Sequence, residues 1–119
     1  MSTALMPNRG EVWLVDFDPP VGAEMAKVRP AVIINEDHIG RLPLRLVVPI
    51  ADWKPLYAGY SWFVMLPADP SNGLSKDSGA DAFQTKSVSL RRLVRRIGQL
   101  TSSQSEDVAS AIKVCVGAS

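Results

Sequence analysis

The chain has one cysteine and one histidine in 119 residues, almost no net charge and no long apolar run. A single thiol, Cys115, cannot close an internal disulfide, and lone cysteines suit a reducing compartment. One cysteine and one histidine, His38, cannot by themselves assemble a zinc cluster. No apolar stretch approaches the roughly 20 residues that a membrane-spanning helix needs. The opening residues, MSTALMPNRG, have neither a basic start nor a continuous apolar region, so no secretory signal is read there. The expectation is a cytoplasmic protein that uses no metal or other cofactor. A formal charge of +1 lacks the basic excess usual in nucleic-acid binders, so any such role must come from the distribution of cations. Internal repeats and low-complexity segments are absent too.

What is present describes an ordinary globular domain. Apolar residues make up 46% and charged residues 21% of the chain, which excludes disorder. The length suits one domain over residues 1–119, able to bury a core without staples, with residues 1–9 as a loose arm.

Strand signals dominate. Val12, Leu14 and Asp16 alternate against Trp13, Val15 and Phe17, so the first strand is apolar on both faces and belongs in a central or closed-sheet position. Asp18–Gly22, with two prolines, reads as a loop. Further strands are expected at residues 30–35, Arg45–Ile50 and Ser61–Leu66, with a short one at Asp81–Ser87. The segments between them, residues 36–44, Asp52–Gly59 and Pro67–Gly79, carry the Gly, Pro and Asn-Gly punctuation of turns. Two helices are expected to close the chain. Leu90, Leu93, Val94 and Ile97 fall at i, i+3, i+4 and i+7, one helical face, ahead of a stop at Gly98. Val108, Ala111, Ile112, Cys115 and Val116 repeat that stripe within Ser102–Val116, with Ser103 and Glu106 as a capping box and Gly117 as the stop. Many short strands followed by helix imply a mainly β, α+β fold: a small, strongly curved antiparallel barrel with a short helix and a C-terminal helix.

One cation stands out. Arg29 sits where a strand leaves a loop, directly ahead of Pro30, and its guanidinium offers a permanently charged fork of donors suited to phosphate. An ion pair with Glu24 or Asp52 is the structural alternative.

The ordered fragments Arg9-Gly10-Glu11-Val12-Trp13, Val21-Gly22-Ala23-Glu24, Lys27-Val28-Arg29-Pro30, Val48-Pro49-Ile50 and Ala82-Phe83-Gln84-Thr85-Lys86-Ser87-Val88 resemble the MazF/PemK (Kid) family of toxin endoribonucleases over nearly the whole chain. The resemblance implies an SH3-like barrel, usually a homodimer. It also implies metal-independent cleavage of single-stranded RNA at short sequences, blocked by a cognate antitoxin. Two positions carry the chemistry in that family. One is the arginine of the Arg-Pro motif, here Arg29. The other is a threonine or serine just after the third strand, and here it is Ala51. Alanine supplies no hydroxyl to a phosphate oxygen. Two readings follow: a natural member with altered or lost activity, or an inactivating Thr→Ala substitution.

In such a reaction the neighbouring 2′-hydroxyl attacks phosphorus. Arg29, too basic to serve as a base, is assigned to stabilise the charge that develops. The resemblance further implies RNA contacts from Glu24 and Lys27 in the loop before Arg29, and from Gln84 and Lys86. Asp52 is grouped with them beside Ala51. Trp53 and Tyr57 offer stacking faces, against packing as the alternative. Arg91, Arg92, Arg95 and Arg96 form one basic stripe opposite the apolar face, read as a solvated helix face with a phosphate track as the alternative. The rival function is a non-catalytic binding module that acts by protein contact, as a gyrase-poisoning relative of the fold does.

Overall fold

The computed structural model describes residues 6–17, 27–39 and 42–118. Seven antiparallel strands, β1 (Glu11–Asp16), β2 (Val28–Ile33), β3 (Leu44–Asp52), β4 (Phe63–Leu66), β5 (Ser78–Asp81), β6 (Lys86–Ser89) and β7 (Leu93–Gln99), precede one helix, α1 (Ser102–Cys115). The strand order is β4-β5-β3-β2-β1-β7, and β6 also pairs with β3. The nine residues of β3 serve three partners. Ala31 to Ile33 of β2 pair with Val47 to Pro49 along one edge. Along the other edge, Leu44–Val47 pairs with β6 and Ile50–Asp52 with β5. A strand shared in this way curls the sheet, which gives the barrel-like form expected of the sequence.

The doubly apolar β1 has the central position expected, flanked by β2 and β7. Its alternation separates two cores. Val12 joins Val32, Val48, Ile50 and Leu66 under α1, where Val108 seals the layer. Trp13, Val15 and Phe17 join Ala31, Ile33, Val47, Val88 and Leu93 on the other face.

The helix expected at Leu90–Ile97 is instead a short 3-10 turn, Leu90–Arg92, running into β7. Its apolar spacing is real, but the free edge of β1 imposes a different geometry, because a buried strand must pair its backbone groups. Two register shifts reconcile the sequence with pairing, one opposite Val12/Trp13 and one opposite Leu14/Val15. The second leaves Val94 as an extra residue, so Leu93 and Arg95 point to opposite faces although one residue separates them. Leu93 enters the second core.

Smaller corrections concern ends. Residues 7–9 are not a loose arm: Pro7 is buried and its carbonyl accepts from Arg45 Nε at 2.9 Å. Arg9 donates to the Ile34 carbonyl at 2.7 Å and meets Glu106 at 3.3 Å. The expected strand Asp81–Ser87 divides into the end of β5, a 3-10 turn Ala82–Gln84 and the start of β6. The capping box uses Thr101 and Gln104 rather than Ser103 and Glu106. Gly117 ends the helix as expected, at φ +68, with Ala118 N–H donating to the Lys113 carbonyl at 2.9 Å. The expected loop Asp18–Gly22 lies outside the described residues. Among the described residues no helix is long and apolar enough to cross a membrane.

Candidate active site

A cleft of about 250 Å³ opens where β1, β2, β3 and β7 meet the loop before β5. Leu14, Pro30, Ile50, Leu74 and Ile97 give it an apolar floor, and Arg29, Ala51, Asp52, Ser75, Lys76 and Arg95 bring the polar chemistry. The sheet builds the floor by register. Pro30 on β2 and Arg95 on β7 both lie opposite Leu14 of β1, so one row of residues runs across three strands.

Arg29 is exposed and pairs in register with Val15. The proline that follows it disfavours helical backbone at Arg29, holding the residue extended as it leaves the loop. Ala51 is half-buried and belongs to β3 itself, one residue from its end, opposite Gly79 of β5. The structure thus brings Arg29 and Ala51 to the same cleft, and Asp52 with them. Asp52 pairs with Lys76 at 3.6 Å, both side chains 70% exposed. Such a pair contributes little to stability, but it is Lys76 and not Arg29 that occupies the aspartate. Of the two serine hydroxyls lining the cleft, that of Ser78 donates to the Lys76 carbonyl at 2.8 Å.

The other sequence candidates lie elsewhere. Lys27 precedes β2 in a left-handed conformation, φ +65, and its carbonyl accepts from Phe17 N–H at 2.9 Å. That backbone is strained for a non-glycine residue. Glu24 is outside the described residues. Trp53 packs instead of lining the cleft: its ring meets Tyr57 edge-on at 5.7 Å, and Tyr57 stacks on Phe63 at 4.0 Å. A Cβ on Gly79 would come within 2.9 Å of the Trp53 ring, so the glycine makes room for the indole. Gln84, half-buried, ends the turn after β5. Lys86 lies opposite Val47 and lines a second cavity of about 230 Å³ with Phe17 and Arg92.

Three of the four helix-assigned arginines take distinct roles on β7 and the turn before it. Arg92 donates to the Asp16 carbonyl at 3.1 Å. Arg96 meets Glu11 at 3.5 Å and Gln99 at 2.7 Å, while Glu11 also accepts from the Trp13 indole at 2.9 Å. Arg95 lines the cleft. Sequence reasoning missed Lys76, and it weighed Arg95 only as part of a helical basic stripe. A bulge cannot be read from local periodicity, and Lys76 is an unremarked cation in a turn.

Several titrating groups depart from ordinary behaviour away from the cleft. Burial pushes the Asp81 carboxyl up, offset in part by the Phe83 N–H bound to it. Burial likewise raises the Cys115 thiol. His38 is exposed, and its hydrogen bond holds the Glu36 carboxyl below its usual range. Among the described residues no three His, Cys, Asp or Glu side chains converge.

Comparison with known proteins adds to this geometry. Residues 8–116 match the family described as PemK-like, MazF-like toxin of type II toxin-antitoxin system. The chain is 34% identical over 115 residues to endoribonuclease MazF9 of Mycobacterium tuberculosis, covering 92% of this chain and 95% of that one. It is 29% identical to endoribonuclease toxin MazF of Escherichia coli, over 98% of this chain and 100% of the relative. The crystal structure of MazF from Deinococcus radiodurans superposes with a TM-score of 0.80 at 22% identity, covering 96% of this chain and 99% of that one. A MazE-MazF structure from the same organism reaches 0.75 at 23% identity, over 98% of this chain and all of its counterpart.

Proposed function

The chain belongs to the PemK-like, MazF-like toxin family of type II toxin-antitoxin systems, and from that premise we propose that it binds single-stranded RNA in the Arg29–Ala51 cleft. The reaction we assign to the cleft is metal-independent, sequence-specific cleavage. The 2′-oxygen forms a bond to phosphorus as the bond to the 5′-oxygen breaks, and the proton lost from the 2′-hydroxyl is balanced by one gained at the 5′-oxygen. The products are a 2′,3′-cyclic phosphate and a 5′-hydroxyl. Arg29 stabilises the charge that builds on the phosphoryl oxygens, the role for which preorganised donors are most effective.

The observation that carries this reading is the convergence of Arg29 and Ala51 on one cleft that also holds Lys76 and Arg95. Where the family has a hydroxyl, Ala51 has a methyl group. Losing one donor to a developing oxyanion costs roughly 10²–10³ in rate, so the chain binds RNA and cuts it slowly. Glu24, Lys27, Gln84 and Lys86 are assigned to flanking RNA contacts. Trp53 acts chiefly by packing. A cognate antitoxin and a second copy of the chain are its protein partners. In support, Ile39, Leu42, Leu44 and Leu46 leave an exposed apolar group beside β3.

The test is cleavage of a long unstructured transcript in EDTA by the chain and by Ala51→Thr. Short recurring cuts by the variant, at least about a hundredfold faster than by the parent, support the reading. If neither cuts and neither binds RNA, the enzyme reading fails. A toxin-fold module acting by protein contact then becomes the better account, and Ala51 is the observation that favours it.

A further inference from the structure

Arg95 has a conspicuous placement. It is a charged side chain in the middle of a strand, exposed yet facing a cleft. Its neighbours are engaged: Arg96 with Glu11 and Gln99, and Arg92 with the Asp16 carbonyl. Among the described residues, Arg95 itself makes no hydrogen bond or ion pair. The bulge at Val94 decides where it points. Without the extra residue, the partner of Leu14 would be Val94, and the floor of the cleft would end in an aliphatic side chain. With it, Leu93 stays in the core opposite Val15 and Arg95 takes the place opposite Leu14. Bulges commonly re-aim a side chain in this way beside functional sites.

The position also fits a ligand. Arg95 and Pro30 flank Leu14 on opposite sides, so their backbones are two strand spacings apart, about 9–10 Å. Arg29 is the residue before Pro30. Paired with Val15, Arg29 leaves β2 on the other side of the strand from Pro30, but both arginines line the one cleft, where two long guanidinium side chains can reach neighbouring phosphates of one strand. Lys76, the other cation at the rim, is partly neutralised by Asp52, so Arg95 is the stronger second anchor.

We propose that Arg95 holds an RNA backbone phosphate next to the one at Arg29, making it a positioning residue whose direction is set by the bulge at Val94. The inference rests on the RNA-cleft reading above. Each phosphate neutralised by a protein cation contributes about 0.7 to the slope of log affinity against log salt for a single strand, which gives a direct count.

The experiment is fluorescence anisotropy of a labelled, unstructured single-stranded RNA with the full chain in EDTA across a salt series. Arg95→Gln is expected to lower the slope by about 0.7 and Arg95→Lys to keep it. Arg29→Gln combined with Arg95→Gln should lower it by about 1.4. Arg91→Gln is the control for general charge, expected to leave the slope nearer the parent's. Melting curves check that each variant is folded, and Arg95→Lys preserves the test if Arg95→Gln is not. A parent slope that Arg95→Gln leaves unchanged overturns the inference and spares the RNA reading. A double variant that loses no more than either single also overturns it, because both arginines would then share one phosphate. If the parent binds no RNA, the RNA-cleft reading falls, and the inference with it.

Discussion

Gly98→Ala is expected to be among the most damaging single-methyl additions in this chain. A Cβ at Gly98 would lie 2.2 Å from the carbonyl carbon of Asn72, 2.4 Å from its oxygen and 2.7 Å from its Cα. All three are backbone atoms, so no side-chain rotation relieves the overlap. The Asn72 segment is also braced from within. Its buried side chain donates to the Pro67 carbonyl at 2.9 Å and accepts from Leu74 N–H at 2.9 Å, while Gln99 N–H ties β7 to the Ser71 carbonyl at 2.9 Å. Inserting a methyl group into such packing costs about 1–3 kcal/mol, and here the upper end applies because a braced backbone must retreat by more than an ångström. For a chain of this size that lowers the melting temperature by about 5–15 °C. The loop that retreats carries Leu74, Ser75 and Lys76, one wall of the cleft, so RNA affinity should fall with stability. Gly59→Ala is the comparison, since a Cβ there meets nothing within 4 Å. Thermal melts of both variants, with RNA binding measured well below the transition, make the test. If Gly98→Ala melts where Gly59→Ala does, β7 and the loop do not approach as described.

Glu11→Ala strips the acceptor from the buried Trp13 indole and the partner from Arg96, and should cost about 1–3 kcal/mol in urea titrations. Glu11→Gln, which keeps the acceptor, should cost less. Because burial raises the Asp81 pKa, its folded form favours the proton: the stability it contributes is full at low pH and is lost as pH rises through the raised value. Asp81→Asn should therefore melt higher than the parent at pH 7, with the gap closing below pH ~4, as melts at the two pH values will reveal. Ala51→Thr should restore cleavage while changing stability by less than about 0.5 kcal/mol. Ala51 lines an open cleft, and a β-branched residue suits a strand.

How much of this was legible in the sequence differs from element to element. The two-faced apolar run of β1 predicted a central strand, because burial on both sides leaves no polar alternation to read in any other way. Arg29 and Ala51 could be joined in advance only through family resemblance, since spacing alone says nothing of which strands become neighbours. β7 was misread because Leu90, Leu93, Val94 and Ile97 satisfy a helical stripe while two bulges hide the strand period. The helix cap was displaced by two residues because Thr101-x-x-Gln104 and Ser103-x-x-Glu106 are equally good local patterns. Glu106 is instead drawn to Arg9, which is distant in sequence. The motif that holds Lys86 gives no sign that it pairs with β3 nearer that strand's start and lines a different cavity from Arg29.

The place of β7 in the sheet has a consequence in time. The cleft takes residues from Leu14 through Ile97, and β1, the first strand made, must wait for the last strand to cover its free edge. Contacts of such long sequence separation form late and slowly compared with local ones. A ribosome adding about 5–20 residues per second therefore carries a nascent chain that has Arg29 and Ala51 but no finished cleft for several seconds. This order of assembly withholds the finished cleft until β7 has been made. A product ending before β7 would lack Arg95 and that wall of the cleft, and would leave an unpaired, largely apolar edge that invites degradation.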